Sequence, residues 1–147
     1  MEYWKYKAID KLRDYPLQKS ALQNLAEEIE RLESEAYSIK SATGDGTPVK
    51  GGGSGREERL LSNIVKREEH KAMQHRAKLA VQMVDRGLAA LSAEEKHMLE
   101  VMYIVGERGG VERLLGELDL QEESSLYKRI NKALHRFTVA MYGATES

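Results

Sequence analysis

Between residues 22 and 39 the apolar positions Leu22, Leu25, Ile29, Leu32, Ala36 and Ile39 recur at alternating spacings of three and four. That heptad period lines them along one helix face as a coiled-coil-like seam. Upstream, Trp4, Ile9 and Leu12 give a short helix from about Trp4 to Arg13 its apolar side. Pro16 suits a first helical turn, where a missing N–H costs nothing, and so predicts a new, longer helix from about Leu17 to Ser41. Farther on, Ser54-x-x-Glu57 has capping-box spacing, and Leu61, Val65, Ala72, Leu79, Met83 and Ala90 continue on one face. These predict a second long helix ending near Ala90, with Glu68 and His75 interrupting its seam. The stretch between the helices, 42–55, is Gly, Pro and small polar residues and reads as a flexible loop. Residues 1–90 are therefore expected to form an antiparallel helical hairpin.

Past residue 90 the pattern shortens. Ser92-x-x-Glu95 is a second capping box, and Met98, Leu99, Met102 and Tyr103 form the inner face of a helix ending near Gly106. Gly109-Gly110 breaks the chain before a short helix from Val111 to about Leu118, with Leu114, Leu115 and Leu118 apolar. In the last helix Leu126, Ile130, Ala133, Leu134, Phe137 and Met141 make one continuous stripe, and Gly143 ends it. A medium helix, a two-turn helix, a tight turn and an amphipathic helix follow the plan of a helix-turn-helix over 91–147. The fold class is all-α: an N-terminal coiled-coil-like hairpin followed by a C-terminal helix-turn-helix bundle.

Composition supports this and removes several functions. The 147 residues include one Phe, one Trp and two Pro, which favours helices over a β-sandwich or barrel. Zero cysteines exclude a disulfide framework, a thiol nucleophile and cysteine-bound zinc or iron-sulfur sites, and fit a reducing cytoplasm. No apolar run approaches the roughly 18 to 20 residues that cross a bilayer, and Met-Glu-Tyr-Trp-Lys lacks a signal-peptide plan, so no membrane partner is expected. Lys and Arg number 23 against 24 Asp and Glu. Total charge therefore says nothing for nucleic acid, and charge placement must carry any such argument.

Placement is informative on the last helix. Lys128, Arg129, Lys132, His135 and Arg136 fall outside its apolar stripe, and no acid occurs from Leu126 to Met141. Four fixed positive charges opposite an apolar stripe can lie along a phosphate backbone or enter the major groove. Other candidate chemistry is thinner. After Gly46-x-x-x-x-Gly51 a phosphate loop needs Lys, and Gly52 stands there. His70 and His75 are five apart and do not share the chelating i,i+4 face. Glu94-x-x-His97 has di-iron spacing without the second such pair. No nucleophile and base converge, so neither an enzyme, a cofactor nor a metal site is expected. Tyr103 is expected in the core, while Tyr127 fits either core or partner contact.

Leu91-Ser-Ala-Glu-Glu-Lys-His-Met-Leu-Glu-Val-Met-Tyr103, Val111-Glu-Arg-Leu-Leu115 and Ser124-Ser-Leu-Tyr-Lys-Arg-Ile-Asn-Lys-Ala-Leu-His-Arg-Phe137 together resemble the fourth region of bacterial sigma factors. Through Ala133-Leu-His-Arg-Phe-Thr-Val-Ala-Met-Tyr-Gly143 and the stretch Asp45-Gly-Thr-Pro-Val-Lys-Gly-Gly52, the resemblance extends to the ArpU-like and RinA-like late-transcription regulators of phages and prophages. It implies promoter recognition on double-stranded DNA, with host RNA polymerase as a further partner. It also implies that Val111 to Leu118 is the supporting helix and Ser124 to Phe137 the recognition helix. Ser124, Ser125, Lys128 and Arg129 would then face bases or nearby phosphates, with Lys132 and Arg136 farther along and Lys132 on backbone.

Two positions depart from the family pattern. Leu118-Asp119 stands where Gly usually follows the supporting helix, and Asp can adopt that turn or cap the next helix. Glu122-Glu123 suits a helix N-terminus but also faces phosphates, so non-specific affinity is expected to be modest and salt-dependent. The long helices are expected to make a homo-oligomer that spaces two DNA-reading units. The alternative reading is a protein-interaction or assembly module, including the small subunit of a phage packaging motor, in which specific DNA binding plays no part.

Overall fold

The computed structural model describes residues 2–41 and 52–145, so residues 42–51 of the predicted loop lie outside the described residues. Among the described residues five α-helices follow in order: α1 (Tyr3–Ser41), α2 (Gly52–Ala89), α3 (Ala93–Leu99), α4 (Gly110–Glu117) and α5 (Glu123–Tyr142). A π-helical turn, Glu100–Ile104, prolongs α3. The described residues contain no strand, and the all-α expectation holds. Helix α2 begins at Gly52, ahead of the predicted Ser54 cap, so 52–55 are helical where a loop was expected. No helix among the described residues is long and apolar enough to cross a membrane.

Helix α1 is one helix where two were expected, with Pro16 inside it. Proline removes one backbone bond to the carbonyl four residues back, but the ring is exposed and burial continues on both sides of it. Trp4, Ala8, Lys11, Tyr15, Gln18, Leu22, Leu25, Ile29, Leu32, Ala36 and Ile39 are all buried or half-buried. Their spacing alternates three and four without interruption, so the predicted seam simply begins eighteen residues earlier, at Trp4.

The chain packs as two compact units, whose limits differ from the predicted segments 1–90 and 91–147. One comprises Ser20–Lys78 and the other Met1–Lys19 with Leu79–Ser147. In the Ser20–Lys78 unit α1 and α2 run antiparallel. Arg56 donates through Nε to the Ile39 carbonyl (3.1 Å) and Nη2 to that of Lys40 (3.2 Å), and Asn63 Nδ2 donates to the Leu32 carbonyl (2.8 Å). Asn63 is buried with both its polar atoms partnered, since its Oδ1 accepts from Arg67 Nε at 2.7 Å.

The phase of α2 is a correction. Arg56, Leu60, Asn63, Arg67, His70, Gln74, Ala77, Val81, Val84 and Leu88 are buried or half-buried at three-four spacing, with Ala80, Met83 and Gly87 beside this row. Of the predicted seam residues, Met83 is half-buried against the core, whereas Leu61, Val65, Ala72, Leu79 and Ala90 are exposed. A continuous helix carries its angular phase from end to end, and burial of Ala77, Val84 and Leu88 turns the polar run Asn63, Arg67, His70 and Gln74 inward.

The other unit has a single core: Ala8, Ile9, Leu12, Val84, Leu91, Met98, Leu99, Val101, Leu114, Leu126, Ile130, Ala133, Leu134, Phe137 and Met141. Tyr15 donates to the Asp85 carboxylate, and burial, then this partner, push its phenol up to about 12. Gly87 is where α2 and α5 touch: a Cβ there would lie 2.5 Å from Phe137 Cδ1 and 2.9 Å from Met141 Cγ. Only glycine permits that approach.

Candidate DNA-reading surface

The candidate site is built from α3, α4 and α5. Helix α3 starts on the predicted capping box: Glu95 N–H donates to Ser92 Oγ (3.1 Å) and Ser92 N–H to Glu95 Oε1 (3.0 Å). Gly106 and Gly109, both with positive φ, turn the chain into α4, and Gly110 packs its backbone close to Val101. A surface network joins these pieces. Arg113 pairs with Glu107 (2.6 Å) and Glu117 (2.7 Å), and Glu117 reaches His97 Nε2 at 2.7 Å. The bonds from Arg113 and then His97 hold the Glu117 carboxyl below its ordinary value. His97 is thus engaged by α4, and among the described residues no three His, Asp or Glu side chains gather as a metal site.

The α4–α5 turn closes as a Schellman motif: Leu120 N–H donates to the Leu115 carbonyl (2.9 Å) and Asp119 N–H to that of Gly116 (3.4 Å). Asp119 takes the left-handed position at φ 53° that glycine usually fills. Replacing Asp119→Gly is therefore expected to stabilise the fold by about 0.5–1 kcal/mol, read as a raised thermal midpoint; a lowered midpoint contradicts the turn.

All six apolar stripe residues of α5 are buried, and its end is capped by Gly143 at φ 86°, donating to Val139 (2.7 Å). The predicted site residues do not share one condition. Lys128 and Lys132 are exposed and make no ion pair among the described residues. Ser124 is exposed, its hydroxyl donating to Glu122 at 3.3 Å, and Ser125 is half-buried. Arg129 instead pairs with Glu94 (3.0 Å), and Arg136 with Glu95 (3.1 Å). Arginines seven apart, about 10.5 Å along α5, thus meet adjacent residues of α3, so α3 crosses α5 and does not run alongside it.

The opposite flank of α5 meets α1. His135 lies edge-on to Trp4, with ring centroids 5.9 Å apart, and Lys7 sits 5.5 Å from the centre of the Tyr142 ring. The exposed strip is thereby framed by Glu94 and Glu95 on one side and by Trp4 and Lys7 on the other. Sequence reasoning missed all four as neighbours of α5. Glu94 and Glu95 were visible only as the first turn of α3, and nothing in their local spacing encodes a crossing with α5. Trp4 and Lys7 stand more than a hundred residues away. No protein-family model, curated protein or solved structure matches the chain.

Proposed function

We propose that this chain is a cytoplasmic, sequence-specific DNA-binding transcription regulator of the phage sigma-like type, reading promoter DNA with α5 and working as a homo-oligomer. The observation that carries the reading is the α4–turn–α5 unit. Its supporting helix is anchored by buried Leu114, its turn is closed by two backbone bonds, and its last helix is amphipathic, with Ser124, Lys128 and Lys132 outward. Such a unit fixes one helix against a body and presents its N-terminal half to a groove. Ser124, Ser125 and Lys128 stand where base edges would be met, and Lys132 stands where the backbone would be held.

Arg129 and Arg136 enter this reading with a condition. Each exchanges a carboxylate for a phosphate on binding, so Glu94 and Glu95 compete with DNA and keep non-specific affinity low. Replacing both, Glu94→Gln with Glu95→Gln, is expected to tighten non-specific binding several-fold. Gln still serves the capping box. The salt slope should steepen by up to about two, one for each arginine released to phosphate. Fluorescence anisotropy over a salt series reads both quantities, and an unchanged affinity and slope would remove the two arginines from the DNA face.

A second reading is supported by the acids themselves. Glu94, Glu95, Glu122 and Glu123 match Lys128, Arg129, Lys132 and Arg136 in number, which suits a protein surface, host RNA polymerase included, as well as a nucleic acid. The salt series separates the two, because protein binding releases no condensed counterions.

A further inference from the structure

We propose that the outward face of α2 is the interface between two copies of this chain, paired antiparallel about a two-fold axis near residue 70. This deepens the self-association part of the proposed function and does not depend on DNA binding, since it is read with no DNA present. In the Ser20–Lys78 unit the inward face of α2 already meets α1. The opposite face carries Leu61 (63% exposed), Ile64 (45%), Val65 (49%) and Ala72, with Glu68 and His75 between them. Leu61, Val65, Glu68, Ala72 and His75 repeat at four and three, a second heptad seam that is exposed among the described residues.

The period selects the occupant. A surface that repeats every three and four residues over about 21 Å is covered by another helix of the same period, and this chain carries that helix. Charge selects the direction. In a parallel, in-register pair Glu68 stacks on Glu68, His75 on His75, and Lys71 faces Arg76 of the second copy, so each polar layer is like against like. Reversing one helix about residue 70 places Val65 beside His75 of the other copy. Glu68 then lies beside Ala72 and Lys71 of that copy; the two Lys71 flank the axis, each with a Glu68 carboxylate for partner, and Ala72 leaves room for it. Glu68, Lys71, His75 and Arg76 make no hydrogen bond or ion pair among the described residues, so these groups have no intrachain partner to give up. The pairing is isologous and closes at two copies.

Light scattering of the full chain across a dilution series is expected to give twice the chain mass, falling to once for Val65→Asp with helical circular dichroism unchanged, because Val65 faces solvent within one chain. Direction is read by disulfide trapping, which the absence of cysteine makes clean. A mixture of Glu68→Cys and Ala72→Cys proteins is expected to cross-link several-fold faster than either variant alone, whatever the folding of the aspartate variant. A monomer at every concentration overturns the interface, as does a dimer that survives Val65→Asp in a helical protein. Faster trapping of Ala72→Cys with itself than in the mixture overturns the antiparallel direction.

Discussion

Replacing Lys128 and Arg129 together with alanine is expected to weaken specific DNA binding by about a hundredfold or more while leaving the fold intact. Each side chain stands in the first half of α5, where the turn from α4 presents it outward. A base or phosphate contact of this kind contributes roughly 1–3 kcal/mol, and two of them combine to at least that loss. The fold should survive because neither side chain enters the core. Arg129 gives up only its pair with Glu94, in which the two side chains are 46% and 50% exposed. Exposed pairs contribute at most about 1 kcal/mol, so the unfolding midpoint should shift little. Gel-shift titration with thermal melting separates the effects. Undiminished binding would remove Lys128 and Arg129 from the reading surface, whereas lost binding with a collapsed midpoint would mean that the pair with Glu94 supports the fold.

The largest effect on stability is expected at Phe137. Its side chain is fully buried, against Gly87 of α2 and beside Met141, at the point where α5 meets α2. Phe137→Ala removes a ring whose neighbours are too well packed to close over the space, and a loss of about 3–5 kcal/mol follows, read by denaturant unfolding. Gly87→Ala should also destabilise, because its new Cβ would meet the ring at 2.5 Å. The two changes should not add. With the ring gone the Cβ loses its two tightest contacts and meets only the flexible Met141 side chain at 2.9 Å, so the double variant is expected to be more stable than the sum of the single losses predicts. Additive losses would contradict the contact.

The same contrast explains what the sequence disclosed and what it withheld. The stripe on α5, the Ser92 capping box, the turn at Leu118-Asp119 and the seam from Leu22 to Ile39 were all legible. Each is encoded by neighbours within two or three turns, where periodicity and capping chemistry act. The phase of α2 was not legible, because that helix carries two heptad stripes. The more apolar one reads as the core, yet Ala77, Val84 and Leu88 turn the polar one inward, and Asn63 finds its partner in the Leu32 carbonyl. Pro16 likewise reads as a boundary by local rules. The helix passes through it because burial continues on both sides: Leu12 and Tyr15 before it belong to the core unit, and Gln18 and Leu22 after it stay half-buried. For the candidate site, the outward Lys128 and Lys132 followed from the helical period alone. The pairing of Arg129 and Arg136 with Glu94 and Glu95 needed the crossing of α3 over α5, a tertiary fact with no local signature.

That crossing also bears on how the proposed regulator would discriminate. Under the proposed function, arginines already satisfied by carboxylates would gain little from a phosphate at random, so net binding would depend on added contacts of Ser124, Ser125 and Lys128 at the correct bases. Low background affinity is then part of specificity, since competing genomic sites are held weakly.

Selection of the purified protein on a randomised duplex DNA library at near-physiological salt, with sequencing of the retained pool, is the most direct test of DNA reading by α5. Enrichment of a single motif is expected, arranged as two half-sites when two copies bind together. A folded sample that enriches no sequence would contradict the proposed function.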